Sequence, residues 1–563
     1  MTVPVARLGP RGDRFHDAAP GIRVVDLEDR CGPVASPISV VGNEESMDHG
    51  VEQVDRKKMT KGGRRRLEVS DVTVVEPPVL KKTIAGTVVG NLMEWYDVGV
   101  YGYVAVIIGR MFLPDGSASA QNLFSLGVFA VTFIARPLGG IVLGQLGDRL
   151  GRQKILAFTL LMMASATFLI GILPDHSTIG VWAPILLIVL KLIQGFSTGG
   201  EYAGATTFIS EYAPDRHRGF LASLLDLGSY MGFAVGAAFV SVLQMTLSAG
   251  FMDSWGWRIP FMAALPLGVI ALYFRTRIED TPAFQAAQET MAEEEADEPR
   301  GLSGFVGTLR SFHREIILAI AIVAAANTAG YALTSYMPTY LTTTLGYDEV
   351  HGNLLTLPVL VIMSLCIPLV GALSDRIGRK TVLTIASVMG IVLAIPAFLL
   401  MMHGAIWSTL VGLMTLAIPV AFYVSNIASA LPALFPTSSR YGGMGIAYNI
   451  AVAVFAGTAP FIMEGLVTLT KQPLAPAFWV MLTSIAGFVA ILFLKESARK
   501  PMPGTLPTVG SREEAHELVA TQDTNPDLDV EEIFALAEMD SAASPASPTD
   551  RVVADQTEPV GSL

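Results

Sequence analysis

The sequence predicts an all-α membrane protein with twelve transmembrane helices in two six-helix bundles, flanked by disordered N- and C-terminal tails. Three observations carry this. Of 563 residues, 51% are hydrophobic and only 16% charged, with a mean hydropathy of +0.50. Apolar runs of about 20 residues, the length that crosses a hydrocarbon core as a helix, recur from residue 83 to residue 494. Helices are the form expected, because they satisfy every backbone polar group internally. Finally, one nine-residue pattern occurs twice, at matching places in the two halves of the apolar region.

Residues 1–82 are rich in Gly, Pro and charge without sustained periodicity, and read as a disordered extension. Their basic run "RKKMTKGGRRR" (Arg56–Arg66) is a solvated charge run close to the first span, with contact to anionic lipid as the alternative. No cleavable signal peptide is expected, since the first apolar run is too long for one. Met47 and Met59 are alternative start positions. Apolar runs then follow at 83–108, 121–144, 155–172, 182–208, 220–246 and 257–275, which make the first bundle, 83–275. A polar central loop, 276–314, holds "AEEEADEPR". The second bundle, 315–495, contains the runs 315–341, 351–373, 381–401, 405–430, 442–468 and 474–494. Residues 496–563 form an acidic tail with fourteen acidic and four basic side chains, the main source of the net charge of −12.

The charge pattern orients the chain. Arg149, Arg152, Lys154, Arg216, Arg218, Arg376, Arg379, Lys380, Arg440 and Lys495 fall on alternate connections, on the same side as both tails. By the positive-inside rule both termini are cytoplasmic, in a multi-pass protein of the cell inner (plasma) membrane. The acidity lies in a tail and does not point to nucleic acid. Cys31 and Cys366 give neither a disulfide framework nor metal-ligand spacing. No nucleophile–base pair, metal cluster or phosphate-cradling loop appears, so no enzyme, cofactor or metal is expected.

The repeated pattern is "GQLGDRLGR" (Gly144–Arg152) and "GALSDRIGR" (Gly371–Arg379), each a G-x-x-x-D-R-x-G-R loop between the second and third span of its half. Duplicated halves around a midplane site are the plan of secondary transporters. The doubled loop resembles the major facilitator superfamily. Within it, "GNLMEWYDVGVYG", "FIARPLGG", "QGFSTGGEYAGA", "PDRHRGFLAS", "WGWRIPF", "SYMPTYL" and "LPALFPTSSRY" are similar to the metabolite:proton symporters, over about residues 83–500. The resemblance implies the major facilitator fold, alternating access, and gating by Asp148, Arg149 and Arg152 with Asp375, Arg376 and Arg379. It also implies proton-coupled import of a small zwitterionic osmoprotectant such as proline or glycine betaine. A carboxylate such as 2-oxoglutarate, citrate or shikimate is the alternative, and a non-transporting sensor or scaffold a remote one. Some osmosensing members end in a long coiled coil. This tail offers only two short amphipathic pieces, "SREEAHELVA" and "DVEEIFALAEMD". The sequence sets no oligomeric state.

Ionisable residues inside spans are candidate functional sites, because burying them is costly. In the first span Asn91, Glu94, Asp97 and Tyr101 stand close in helical projection. Glu94 and Asp97, with Glu201 in the fourth span, are the proton-coupling candidates. The bland alternative is a permanent pair with Arg136 or Lys191. Either cation is equally a candidate for a substrate carboxylate, with arginine better suited by its fork. Lys191, Gln194, Thr198 and Glu201 make a polar stripe that faces the bundle interior. A quaternary head needs aromatic faces, which Trp95, Tyr101, Tyr202 and Tyr331 offer. The substrate-binding candidates are therefore Asn91, Trp95, Tyr101, Arg136, Lys191, Tyr202 and Tyr331. The second half looks quieter, with Asn327, Tyr331 and Thr334 on one face and Glu464 expected at the outer interface.

Overall fold

The computed structural model describes residues 65–75, 77–150, 152–279 and 302–543. Most of the basic run at 56–66, the candidate start residues and "AEEEADEPR" lie outside these, as do the side chains of Asp148, Arg149 and Arg152. Nine helical stretches among the described residues are long and apolar enough to cross a membrane: Ala118–Leu143, Trp182–Tyr212, Asp215–Thr246, His313–Thr344, Glu349–Ile377, Arg379–Met402, Ile406–Ala430, Ser439–Thr470 and Ala475–Leu492. Of two shorter apolar stretches, Ala157–Ile172 lies within helix Arg152–Ile172, and Gly256–Ile270 joins a 3-10 turn, Gly256–Arg258, to helix Ile259–Glu279. Helix Pro77–Phe112 is continuous and long enough, with its apolar run interrupted by Asn91, Glu94 and Asp97. Together these make the twelve crossings the sequence predicts, numbered here 1 to 12 in chain order. Their outer faces are apolar: Leu369 is 68% and Val392 60% exposed. Such a surface fits a chain solvated by lipid.

Span 1 packs along span 5, and span 5 along span 8, so the two halves meet over long helices. Spans 2 and 4 touch backbone to backbone. A Cβ on Gly195 would lie 1.6 Å from the Thr132 carbonyl oxygen, and one on Gly199 2.1 Å from that of Arg136. Only glycine permits this, the small-residue contact common between membrane helices. Several spans are broken where they line the interior. Span 2 is interrupted at Ala135, just before Arg136 and Pro137, whose ring nitrogen has no hydrogen to bond one turn back. Span 4 is interrupted at Thr198–Gly200. In span 7 the α-helix gives way to π turns at Ala332–Tyr336 and Tyr340–Thr344, on either side of Pro338, and span 11 has one at Val452–Ala456. Such turns gather at functional sites.

The tails depart from the expectation of disorder within residues 1–82 and 496–563. Thr73–Val74 (β1) pairs in parallel with Thr508–Val509 (β2), and helices Arg512–Thr521 and Val530–Ala543 follow. Leu67, Val72, Val509, Ala515, Leu518 and Phe534 form a small apolar cluster separate from the main core. Gln522 closes the unit, accepting from the Leu67 amide at 2.8 Å and donating to its carbonyl at 3.2 Å. Each tail alone is too sparse in apolar residues to form a core, so neither segment reads as structured by itself. The two acidic helices match the two amphipathic pieces seen in the sequence, and are too short for a coiled coil. Val509→Asp, which puts a carboxylate into this cluster, is expected to expose residues 512–543 to limited proteolysis while the spans stay protected. Equal resistance of variant and wild type would show that the cluster does not hold the tail.

Candidate functional site

The four polar residues of span 1 fan out to three neighbours. The Asn91 amide donates to the Leu225 carbonyl (2.8 Å) and to Ser229 on span 5, and accepts from the Trp95 indole at 3.1 Å. Glu94 faces span 2, where Arg136 donates to its Oε1 at 3.2 Å. Both side chains are at most 2% exposed. The guanidinium also lies 4.9 Å from the Phe133 ring centroid and 5.5 Å from that of Trp95. A buried ion pair holds only if its remaining capacity is met, and here aromatic faces supply part of it.

Asp97 faces span 3. Thr167 Oγ1 lies 2.7 Å from Asp97 Oδ2 and 2.9 Å from the Met163 carbonyl, and accepts from Gln194 Nε2 at 2.9 Å. Gln194 Oε1 in turn accepts from Lys191 Nζ at 2.8 Å, and the ammonium sits 4.0 Å from the Tyr101 ring centroid. Lys191 and Asp97 are thus joined through Gln194 and Thr167, with no direct ion pair among the described residues. Tyr101 donates to the Ser125 carbonyl at 2.9 Å. Glu201 is half-buried at the start of the second piece of span 4.

A cavity lies between the halves, lined by Trp95, Tyr202, Asp226, Ser229, Tyr230 and Phe233 from the first and by Asn327, Tyr331, Thr334, Val424, Ile427 and Tyr448 from the second. Of the expected substrate contacts, Trp95, Tyr202 and Tyr331 line it. Asn91, Tyr101, Arg136 and Lys191 are placed in the packing of the first half instead. Among the described residues the lining carries one acid, Asp226, and no base. The Tyr202 and Tyr448 rings stack across the interface at 4.2 Å, and the Tyr202 hydroxyl donates to Asp226 Oδ1 at 3.0 Å. Tyr331 packs edge-on to Phe133 and Trp95. Asp226 escaped the sequence reading, although an acid inside an apolar run, "LASLLDLGSY", is the same signal that singled out Glu94.

Polar contacts between the halves close both ends. At the end carrying the repeated loops, Asp375 accepts from the amides of Gly219 (2.7 Å) and Phe220 (2.9 Å), the first turn of the span 5 helix. A carboxylate there meets unpaired amides and the positive end of the helix dipole. Arg379 lies 3.8 Å from Asp375, while Arg376 is exposed. Arg440 pairs with Glu211 across the interface, and Asn449 donates to the Gly199 carbonyl at 2.7 Å. The segment after span 12 is strapped over this end. Glu496 accepts from the Arg379 and Lys380 amides, Arg499 donates to the Asp375 carbonyl (2.7 Å), and the Lys500 and Pro503 carbonyls accept from Arg218 and Arg440. At the opposite end Arg110 bridges Asp253 (2.7 Å) and, across the interface, Glu349 (2.6 Å). Glu464, expected at an interface, is instead buried, accepting from Asn122 of span 2 at 3.4 Å and Tyr336 of span 7 at 3.3 Å. Its position one helical face inward brings it between the two halves.

The family described as "Sugar (and other) transporter" matches residues 83–299 and 285–504. The chain belongs to this family of the major facilitator superfamily. It is 49% identical over 472 residues to the ectoine/proline transporter ProP of Corynebacterium glutamicum, covering 83% of this chain and 94% of that protein. It is 41% identical over 473 residues to the proline/betaine transporter of Escherichia coli K12, with coverages of 83% and 94%. The proton:xylose symporter XylE bound to 6-bromo-6-deoxy-D-glucose superposes with a TM-score of 0.58 at 18% identity, covering 78% of this chain and 99% of that one. That likeness establishes the shared fold.

The expectation that Asp375 gates the loop-bearing end requires its contacts to break and re-form during transport. Asp375→Asn removes the charge from two hydrogen bonds, each of a kind that contributes about 1.5–3 kcal/mol. Gly219→Ala places a methyl 2.6 Å from Asp375 Oδ1. With Cys31 and Cys366 replaced by serine, either change is expected to speed labelling of Ser223→Cys by a membrane-impermeant maleimide about tenfold, since about 1.4 kcal/mol is one decade. Ser223 is buried at this same contact. Unchanged labelling in both variants would remove Asp375 from the gate.

Proposed function

We propose that this transporter is a proton-coupled symporter that imports a small zwitterion of the proline, glycine betaine or ectoine class across the plasma membrane by alternating access. The observation that carries the reading is the central cavity: aromatic faces from both halves, neutral hydrogen-bonding groups, one acid and no base. A dicarboxylate would ask for cations on the wall, and Arg136 and Lys191 are engaged elsewhere. The names of the relatives support the same substrate class. The two six-helix bundles, 83–275 and 315–495, are the moving parts, and the contacts at both ends belong to an occluded state. Lys and Arg concentrate at the loop-bearing end, which supports its being cytoplasmic, together with both termini.

Among the three carboxylates proposed for the proton, the surroundings favour Asp97. Glu94 is held by the Arg136 guanidinium, a fork suited to a carboxylate, so it serves as a fixed tie between spans 1 and 2. Asp97 has a partner suited to both protonation states. Charged, it accepts the Thr167 hydroxyl proton. Protonated, it donates to Thr167, whose own proton turns to the Met163 carbonyl. Glu201 lies outside the cavity wall and is the weaker candidate. Asp148, Arg149, Arg152, Asp375, Arg376 and Arg379 are assigned to gating, with Asp375 and Arg379 in direct contact with the closed end.

The test is uptake of radiolabelled glycine betaine into proteoliposomes with and without an inward proton gradient. Wild type is expected to show gradient-stimulated uptake. Asp97→Asn is expected to lose that stimulation and keep exchange of internal for external glycine betaine. Glu94→Gln leaves Arg136 buried without its anion, a change costing about 3–5 kcal/mol, and is expected to lower thermal stability and both kinds of transport. No uptake of glycine betaine or proline by wild type would reject the substrate class. Gradient-driven uptake by Asp97→Asn would move the proton to another carboxylate.

A further inference from the structure

Three polar atoms on the cavity wall are buried without a hydrogen-bond partner among the described residues: Asp226 Oδ2, Asn327 Nδ2 and the Tyr331 hydroxyl. Each side chain is more than nine-tenths buried. Unmet polar groups of this kind are rare in folded proteins and call for an explanation. Their distribution is uneven. The unmet acceptor stands on span 5 in the first half, and its acidic side chain makes no ion pair among the described residues. Both groups able to donate stand on span 7 in the second half, Tyr331 at the end of its α-helical part and Asn327 one turn before it.

We propose that these three groups form a polarised zwitterion site: Asp226 takes the positive head of the substrate, and Asn327 and Tyr331 take its carboxylate. This rests on the zwitterion reading above and adds the direction in which the substrate lies. Asp226 is the only formal charge on the wall among the described residues, so it decides which end of a dipolar molecule faces span 5. Its second oxygen accepts from Tyr202, whose ring stacks on Tyr448. The carboxylate is thus fixed beside a pair of aromatic faces, the surroundings that hold a quaternary or secondary ammonium best. The amide and phenol opposite offer N–H and O–H to the carboxylate without adding a charge. A substrate so placed bridges spans 5 and 7, hence both halves, and favours the closed arrangement over one in which they part. An anion with no positive head would leave Asp226 without a counter-charge, and a dicarboxylate would set a second negative group against it, which builds in rejection of both.

The decisive comparison uses counterflow, the exchange of external radiolabelled glycine betaine for internal unlabelled glycine betaine, which needs no proton gradient. The competitor is 3,3-dimethylbutyrate, in which carbon replaces the charged nitrogen of glycine betaine and the shape is kept. Wild type is expected to prefer glycine betaine to this isostere by about a hundredfold or more, the scale of two decades for one lost charge contact. Asp226→Asn is expected to raise the half-saturation concentration for glycine betaine at least about tenfold and to reduce the preference to a few-fold. Asn327→Ala, on the carboxylate side, is expected to weaken both ligands about equally and leave the preference intact. That variant keeps the assignment testable if Asp226→Asn does not fold as judged by size-exclusion chromatography. Wild-type preference in Asp226→Asn, with only gradient-driven uptake lost, would make Asp226 a proton site and overturn the proposal. A selective loss of preference in Asn327→Ala would overturn it too. Absence of counterflow by wild type with glycine betaine, proline and ectoine would instead bring down the zwitterion reading, and this site with it.

Discussion

Arg136 is a guanidinium buried in the bundle interior, at the break in span 2. Everything near it follows from that. Glu94 must come from span 1 to meet it, and the rings of Trp95 and Phe133 must cover it. Span 4 must approach span 2 so closely that Gly199 presses on the Arg136 carbonyl. The pair therefore sets how spans 1, 2 and 4 sit together, and with them the placement of Trp95 and Tyr202 on the cavity wall.

The same cost of lone polar groups explains how the halves hold each other. No apolar driving force distinguishes helix–helix from helix–lipid contact within the membrane, so specific polar contacts at the two ends define the closed state. Asp375 on the first amides of span 5 and Arg110 between Asp253 and Glu349 are such contacts, strong when formed and exchangeable with water when parted. The strap after span 12 adds contacts from Glu496, Arg499, Lys500 and Pro503 to the very residues that make the loop-bearing closure. Through β2 and its apolar cluster, that strap is continuous with the folded part of both tails.

Between the closed ends lies a wall that is polar by subtraction. Lys191, paired with Gln194, and Arg136, paired with Glu94, are withdrawn from the cavity, while Asp226, Asn327 and Tyr331 face it with a hydrogen-bonding position unmet. What remains is an arrangement with a negative side and a hydrogen-bond-donating side, on opposite halves. Movement of the halves and occupation of the cavity are in this way the same event viewed from two places.

Composition and periodicity by themselves determined the twelve spans, because a bilayer demands about twenty apolar residues per crossing and the demand is local. The doubled G-x-x-x-D-R-x-G-R loop likewise revealed the two halves, and the intramembrane carboxylates announced themselves by their cost. Three things were decided only by tertiary structure. One is which partner each carboxylate meets: helical spacing puts Glu94 and Asp97 one turn apart, yet Glu94 turns to Arg136 on span 2 and Asp97 to Thr167 on span 3. Another is which candidates reach the cavity, since Arg136, Lys191 and Tyr101 are drawn into packing while Asp226 faces the opening. The last is the order in the tails, whose few apolar residues lie more than four hundred positions apart and make a core only when β1 and β2 come together. Local energetics can be read from a string of residues; pairing across the chain depends on where distant segments meet.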